Sequence, residues 1–266
     1  MKRYLVPTLL AAGLFAGAAH AHDTWIQPSA TVLSGEEARV TFDAASGNNK
    51  FEYNHRPLPL NALQVTGPDG KPVEAINQHT GDLRSSFDLR LKEDGTYRVA
   101  IVRDGVFARW KEGDANKRWM GSPDELEKSV PKDAKDLSIS ERLGRIETFV
   151  TKGKPSKVEP TGKGMELISE PHPNDLYAGE TANFTLLLDG KPAAGLEVEI
   201  VRNGARYRDD PEEIKATTDD KGQFSVEWPQ AGLYWVHADT SDDKTTVSAA
   251  EKRGVSYVGT FEVLPE

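Results

Sequence analysis

The chain has 266 residues, with 33 basic and 42 acidic side chains, a formal net charge of −9 and no cysteine. The acidic balance argues against nucleic acid and anionic lipid as partners and is compatible with cations. The lack of cysteine excludes a disulfide framework and a thiolate metal site.

The first 21 residues have the pattern of a cleavable secretory signal. Lys2 and Arg3 precede an uncharged apolar run over 5–19, which ends at Ala19-His20-Ala21. The run is too short for a comfortable membrane span, so we expect cleavage after Ala21 and a periplasmic protein that is not inserted in the membrane. Cleavage removes two basic residues and no acidic one, which changes the net charge from −9 to −11.

The first half of the mature chain alternates apolar and polar residues in short runs, a pattern typical of β-strands. Strong turn sequences separate the runs, notably Gly67-Pro68-Asp69-Gly70 and Asp94-Gly95. Strands are predicted over 38–42, 63–66, 73–76, 85–91, 96–102, 106–110 and 145–151. One short helix is predicted from Ser122-Pro123-Asp124-Glu125, which offers an N-cap, a proline at the first helical position and a capping-box glutamate.

The second half repeats this style, with strands predicted over 182–188, 196–202, 223–228, 233–238 and 256–263. Both halves carry Asp-Gly-Lys-Pro, at 69–72 and 189–192, and a Gly-x-Tyr at a strand entrance, at 95–97 and 232–234. The sequence therefore predicts a mainly β fold of two immunoglobulin-like β-sandwich domains with one short helix between them. The predicted domains are 22–151 and 165–266, joined by a Gly/Lys/Pro-rich linker over 152–164.

Cleavage after Ala21 makes His22 the first residue, so that a free α-amine and an imidazole lie on the same residue. Both groups titrate close enough to neutrality to lose their protons to a metal at modest cost. Nitrogen-rich sites of this kind suit Cu(II) and Ni(II), with zinc a weaker candidate. Asp23 adds an oxygen donor next to His22, and Trp25-Ile26 supplies apolar anchors for the terminus.

Other residues have to complete the chelate, and four histidines remain in the mature chain. His55, in the loop segment Tyr53-Asn54-His55-Arg56-Pro57, is the likeliest additional nitrogen donor. His79 fits a solvated loop residue, His172 an interdomain contact and His237 a packed residue beside Trp235. Whether His172 or His237 joins the site stays open, and so does the alternative that His22 is only a frayed polar terminus.

The motifs of familiar enzymes do not occur in this sequence. It has no EF-hand spacing, no nucleophile elbow and no phosphate-cradling glycine loop. The acidic runs at 209–213 and 242–243 fit solvated loop charge. A protein without catalytic activity is therefore expected.

Several motifs together resemble a known family of bacterial periplasmic proteins. They are His22-Asp23-Thr24-Trp25-Ile26, the segment 84–89 before Gly95-Thr96-Tyr97, the segment 170–175 with Ala178-Gly179-Glu180, and Asp189-Gly190-Lys191-Pro192. The family is a domain of unknown function described as the periplasmic component of nickel or cobalt uptake systems. The resemblance implies an immunoglobulin-like architecture and a role in handling a divalent transition metal, with His22, Asp23 and His55 as candidate ligands.

Three functions remain open at this stage. The first is a periplasmic protein that binds nickel or cobalt and assists a membrane uptake transporter. The second keeps the ligands and resembles the histidine brace of copper proteins, either a carrier or an oxidase. The third is an adhesion or carbohydrate-binding scaffold in which His22 is incidental.

Overall fold

The computed structural model describes residues 22–266, so the predicted signal segment 1–21 lies outside the described residues. The first half of the described chain runs through ten strands and one helix. They are β1 (Asp23–Pro28), β2 (Val32–Leu33), β3 (Arg39–Gly47), β4 (Arg56–Pro57), β5 (Leu63–Thr66), β6 (Ile76–Thr80), β7 (Ser85–Arg90), β8 (Gly95–Glu112), β9 (Ala115–Gly121), α1 (Pro123–Ser129) and β10 (Lys135–Lys152).

The second half adds eight strands. They are β11 (Met165–Glu170), β12 (Thr181–Leu188), β13 (Lys191–Pro192), β14 (Glu197–Arg202), β15 (Ile214–Thr217), β16 (Gln223–Glu227), β17 (Gly232–Asp242) and β18 (Lys252–Val263). Two short 3-10 turns, Leu60–Ala62 and Ala205–Tyr207, complete the regular structure of the described residues. The predicted mainly β fold is confirmed.

The strands form three sheets. The front sheet has the order β1-β3-β7-β6, with β4 beside β3, and the back sheet has the order β11-β12-β13, with β16 beside β12. The shared sheet runs β15-β14-β17-β18-β10-β8-β5, with β2 beside β10 and β9 beside β8. Strands from both halves of the chain therefore belong to one sheet.

The shared sheet is continuous because β10 pairs in parallel with β18, from Ser140↔Lys252 to Thr148↔Thr260. Alternate residues of β10 point to opposite faces of the sheet. Ile146 and Val150 lie in the hydrophobic core under the front sheet, whereas Leu143 and Phe149 lie in the core under the back sheet. The two small sheets thus cover opposite faces of the shared sheet and form two β-sandwiches with a common layer.

The segment 153–164, which connects β10 to β11, contains no strand. It is nevertheless attached to the shared sheet, because Arg98 donates to the carbonyl of Glu159 at 3.0 Å and Arg145 donates to the hydroxyl of Thr161 at 2.9 Å. The predicted division into two domains with a linker at 152–164 stays a prediction. The strands on both sides of that segment share the central sheet.

The strand and helix predictions agree with the structure in most places. The helix α1 begins after Ser122, whose backbone N–H donates to the Glu125 carboxylate at 3.2 Å, as the capping box predicts. Of the strand predicted over 73–76, only Ile76 lies in a strand, as the first residue of β6. The preceding Pro72 has no N–H to donate and takes part only in an isolated bridge with Thr66. The strands predicted over 96–102 and 106–110 are a single strand, β8, paired along its length with β10.

No helix among residues 22–266 is long and apolar enough to cross a membrane.

An ion-pair cluster ties the Asp-Gly-Lys-Pro turn of the second half to β18. The guanidinium of Arg253, 5% exposed, donates to Asp189 at 2.8 Å and to Asp242 at 2.6 and 2.9 Å. The hydrogen bond from Arg253 holds the pKa of Asp242 below its ordinary value of 3.8. A carboxylate with a lowered pKa stabilises the fold above its ordinary pKa and loses that effect as the pH falls through the lower value.

We therefore predict that Arg253→Met lowers the free energy of unfolding by about 1.5–3 kcal/mol at pH 7, the usual contribution of hydrogen bonds to charged groups. The difference in the free energy of unfolding between this variant and wild type narrows as the pH falls below 3.8, because Asp242 then begins to take up its proton in the unfolded chain. Urea unfolding at pH 7 and pH 3 measures both effects. The exposed Arg90→Met is the control, and equal stability of Arg253→Met and wild type at pH 7 contradicts the prediction.

Candidate functional site

The strand β1 holds the first described residues against the rest of the fold. It pairs antiparallel with β3, from Asp23↔Gly47 to Pro28↔Phe42. Trp25 and Ile26 are fully buried, as expected of apolar anchors. His22 directly precedes this strand and is exposed, so the residue is positioned by β1 while its ring stays in contact with solvent.

Strand register brings His22 and His55 together although they are far apart in the sequence. Asp23 lies opposite Gly47, and Arg56 lies opposite Ser46. The residues that precede Asp23 and Arg56 therefore flank the same end of β3. The two imidazole rings are stacked, with centroids 3.5 Å apart and planes inclined by 1°. We call these two side chains the histidine pair.

The loop between β3 and β4 folds around Trp25. The rings of Phe51 and Tyr53 lie 5.8 and 5.6 Å from the Trp25 ring, and the Tyr53 hydroxyl donates to Gln27 at 3.0 Å. A Cβ atom on Gly47 would lie 2.2 Å from a backbone carbonyl oxygen in this loop, so only glycine fits where the loop begins. The loop that presents His55 is thus shaped by the same tryptophan that anchors β1.

Asp23 faces the shared sheet. Its carboxylate lies 3.6 Å from the ammonium of Lys50, which makes a second, shorter contact of 2.6 Å with Glu199 on β14. The pKa of Asp23 is raised, first because burial removes water from the carboxylate and further by the negative charge of Glu199; the positive charges of Lys50 and His237 oppose this shift. The partner of Asp23 in the structure is Lys50, and its predicted role as a metal ligand stays a prediction.

Trp235 on β17 connects the second half of the chain to the start of β1. Its indole N–H donates to the carbonyl of Thr24 at 2.9 Å. Lys50 lies over the Trp235 ring, 4.8 Å from its centroid, and His237 stacks on that ring at 5.1 Å. The histidine pair therefore lies beside a junction to which β1, the loop after β3 and β17 all contribute.

Two other histidines lie away from the pair. His172 is half-buried and fixed by hydrogen bonds, since its Nε2 lies 2.9 Å from the hydroxyl of Thr96 and its Nδ1 accepts from the backbone of Asn174 at 3.1 Å. Burial lowers the pKa of His172. His79 is exposed on β6. The reading of His172 as a contact residue between the halves agrees with these bonds, because Thr96 lies on β8 and Asn174 follows β11.

The electrostatics of the pair favour an uncharged His55. The pKa of His55 is lowered, first by the loss of water around its ring and then by the positive charges of His22 and Arg56. The neutral imidazole is the form that binds metal ions. No three His, Cys, Asp or Glu side chains within residues 22–266 converge in a way that could hold a metal ion.

Sequence reasoning identified His22 and His55 but missed Lys50, Glu199 and Trp235 as parts of the site. A lone lysine in a Gly/Asn-rich loop carries no local signal of its partner. Glu199 lies between Val198 and Ile200, and Trp235 lies between Tyr234 and Val236. Such a pattern predicts a strand but indicates no particular partner. Their partners lie far away in the chain, since Lys50 precedes Glu199 by 149 positions (199 − 50) and Thr24 precedes Trp235 by 211.

The fold and the site together define a β-sandwich protein with an exposed histidine pair at the start of its first strand. The chain belongs to the family described as Domain of unknown function (DUF4198), which matches residues 19–242. The expected resemblance to a family of unknown function is thus confirmed. No curated protein matches the chain.

The solved structures that match this chain share little of its sequence. The D0-D1 domain of intimin is 12% identical with a TM-score of 0.24, covering 89% of this chain and 96% of that one. The FN1-FN3 domains of chicken CNTN1 are 7% identical with a TM-score of 0.23, covering 91% and 99%. Trypsin-activated alpha-2-macroglobulin from Escherichia coli is 14% identical with a TM-score of 0.23, covering 92% of this chain and 16% of its own. Scores this low support no functional argument.

The bond from Trp235 to Thr24 generates a prediction. Trp235→Phe leaves the part-buried Thr24 carbonyl without this donor, and the loss of one such hydrogen bond costs about 0.5–1.5 kcal/mol. We expect faster amide hydrogen exchange in β1 than in wild type, measured by mass spectrometry on peptides covering 22–28. The matched control is Trp228→Phe, which removes a fully buried indole whose N–H has no hydrogen-bond partner. Equal exchange of β1 in the two variants contradicts the prediction.

Proposed function

We propose that the mature protein is a non-enzymatic, periplasmic metal-binding protein that captures nickel or cobalt and assists a membrane uptake transporter. The donors are the α-amine and imidazole of His22 and the imidazole of His55, with Asp23 as an oxygen ligand or a neighbouring partner. The proposal rests on one observation: strand register brings His22 and His55 into ring contact at the terminus that signal cleavage would create.

The donor set fits a transition metal. Three nitrogen donors at an exposed site suit ions that prefer nitrogen, above all Cu(II) and Ni(II). A free α-amine has an ordinary pKa of about 8, so a metal displaces its proton at modest cost near neutral pH, and the pKa of His55 is lowered by the loss of water around its ring and by nearby positive charge. Cleavage after Ala21 is essential, because an amide nitrogen in place of the amine would remove one of the three donors.

Metal binding requires the two rings to move apart. Nitrogens bound at about 2.0–2.1 Å to one ion, at right angles or wider, lie about 3 Å or more apart, and the ring centroids lie still farther apart. The two rings lie face to face in parallel planes with centroids 3.5 Å apart, which is closer than two imidazoles bound to one ion can lie. Both side chains are exposed, so rotation about their side-chain torsions is enough to open the pair.

The exposure of the pair also favours transfer over storage. An ion at this site is held by few protein groups and remains accessible to water. Such a site gains and loses its ion readily, which suits a protein that hands the ion to a transporter.

Copper is the second candidate cargo. The amine and imidazole of a terminal histidine with a second imidazole are the donors of a histidine brace, and affinities for nitrogen sites generally peak at Cu(II) in the first-row series. A copper carrier or oxidase would use the same three atoms. The relative affinities of the metals, together with copper-dependent peroxide chemistry, distinguish these functions.

The primary experiment expresses the protein with its own signal, confirms His22 as the first residue by mass spectrometry, and titrates Ni(II), Co(II) and Cu(II) by calorimetry. We expect a dissociation constant of about 1 μM or lower for at least one ion. A version extended by one alanine before His22 is expected to bind at least about tenfold more weakly, because it lacks the terminal amine donor. If neither form binds metal, the scaffold function replaces the proposal.

The role of His55 is tested separately. His55→Ala removes one of the three nitrogen donors, so we expect metal affinity to fall by about tenfold or more. His79→Ala is the matched control, since His79 is an equally exposed histidine away from the pair. Circular dichroism verifies that both variants are folded. Equal affinities of the two variants would remove His55 from the site.

A further inference from the structure

The shared sheet continues beyond the edge of the front sheet, next to the histidine pair. The row formed by Arg103 on β8, Gly144 on β10 and Ser256 on β18 lies two residues beyond the row of the buried Ile146, and all three residues are half-buried. A Cβ atom on Gly144 would lie 3.9 Å from the Cβ of Arg103 and 3.4 Å from the hydroxyl oxygen of Ser256. The side chains of Arg103 and Ser256 point to the same face of the shared sheet as that of Ile146, which lies in the core under the front sheet.

The next row of the shared sheet places a second arginine on the same face. Arg142 pairs with Gly254, and its guanidinium carbon and Nη1 lie 3.7 and 3.4 Å from where a Cβ of that glycine would be. Arg142 is a diagonal neighbour of Arg103, and the Cβ atoms of such neighbours lie about 7–8 Å apart. The side chains of Arg103 and Arg142 therefore lie on the same face of the shared sheet, where two neighbouring positions, 144 and 254, are glycine.

A third arginine approaches from the front sheet. Arg56 follows His55 directly, and its positive charge, after burial, is the second cause that lowers the pKa of Arg103. In the described part of the chain, none of the ion pairs includes Arg56, Arg103 or Arg142. Asp239, the neighbour of Ser256 on β17, is 69% exposed and lies 3.8 Å from His237. We call the three arginines with Ser256 the arginine cleft.

The positive charge of the cleft is in conflict with a bare metal ion at the histidine pair, so it weakens the binding of that ion without preventing it. Like charges repel, and the repulsion is stronger near a partly desolvated group such as Arg103 than between groups in bulk water. Arginine keeps its charge at every relevant pH, so the conflict cannot be relieved by losing a proton. An anion that lies between the arginines and the metal would turn the repulsion into attraction on both sides.

We infer that the arginine cleft binds the carboxylates of a small organic polyanion, and that the protein captures its metal as a complex with that chelator. Planar guanidinium groups match carboxylates through paired hydrogen bonds, and the Ser256 hydroxyl is a further donor. A chelator with several carboxylates can hold the metal with some and contact arginines with others. The metal part of the inference rests on the proposed function, whereas carboxylate binding does not need it.

The test uses citrate as the probe, a tricarboxylate that chelates divalent metals. Calorimetry on the mature protein without metal is expected to detect citrate binding, and Arg103→Gln and Arg142→Gln are each expected to weaken it about tenfold or more. The matched control is Arg118→Gln, which makes the same charge change at an exposed position on β9. We expect its citrate affinity to stay within about twofold of wild type.

The two proposals fail in distinguishable ways. The version extended by alanine before His22 is expected to lose Ni(II) binding and keep citrate binding. Arg103→Gln is expected to lose citrate binding and keep Ni(II) binding. Titration of the wild type with a Ni(II)–citrate mixture is expected to give tighter binding than either component alone. The inference is overturned if citrate does not bind, if Arg103→Gln binds it as wild type does, or if sulfate and inorganic phosphate bind as tightly as citrate.

Discussion

The parallel pairing of β10 with β18 is the interaction on which the rest of the structure depends. It joins a strand from the first half of the chain to the last strand of the second half over nine residue pairs. Without it, the shared sheet would be two separate sheets. With it, the shared sheet packs against the front sheet on one face and against the back sheet on the other. The alternation of side chains along β10 divides its apolar residues between the two cores.

The position of the histidine pair follows from this common layer. Trp235 belongs to the second half of the chain, yet its side chain packs in the core under the front sheet and its indole holds the backbone at Thr24. Lys50 likewise connects a loop of the first half to Glu199 on β14. The start of β1 is therefore held by residues from both halves, which keeps His22 near His55 while leaving both rings in solvent.

Electrostatics give this end of the molecule two distinct parts. A partly buried group beside the start of β1 combines the ammonium of Lys50 with the carboxylates of Asp23 and Glu199. Beyond the edge of the front sheet, the arginine cleft carries positive charge without a carboxylate paired to it among the described residues. A protein with an overall acidic sequence thus concentrates unpaired positive charge beside its candidate metal donors.

The sequence by itself determined the mainly β fold, many strand positions and the capped helix, and it indicated His22 and His55 as candidate ligands. These features depend on local chemistry, namely the alternation of apolar residues, the turn residues, the capping box and a histidine directly after a predicted signal. The tertiary structure decided the sharing of one sheet, the contact between the two histidine rings and the grouping of Arg56, Arg103 and Arg142. Those features depend on which strands pair and in what register, and the pairing of β10 with β18 joins residues 112 positions apart. A local pattern contains no record of such a partner, because many strands of similar composition compete for each edge until the whole sheet is assembled.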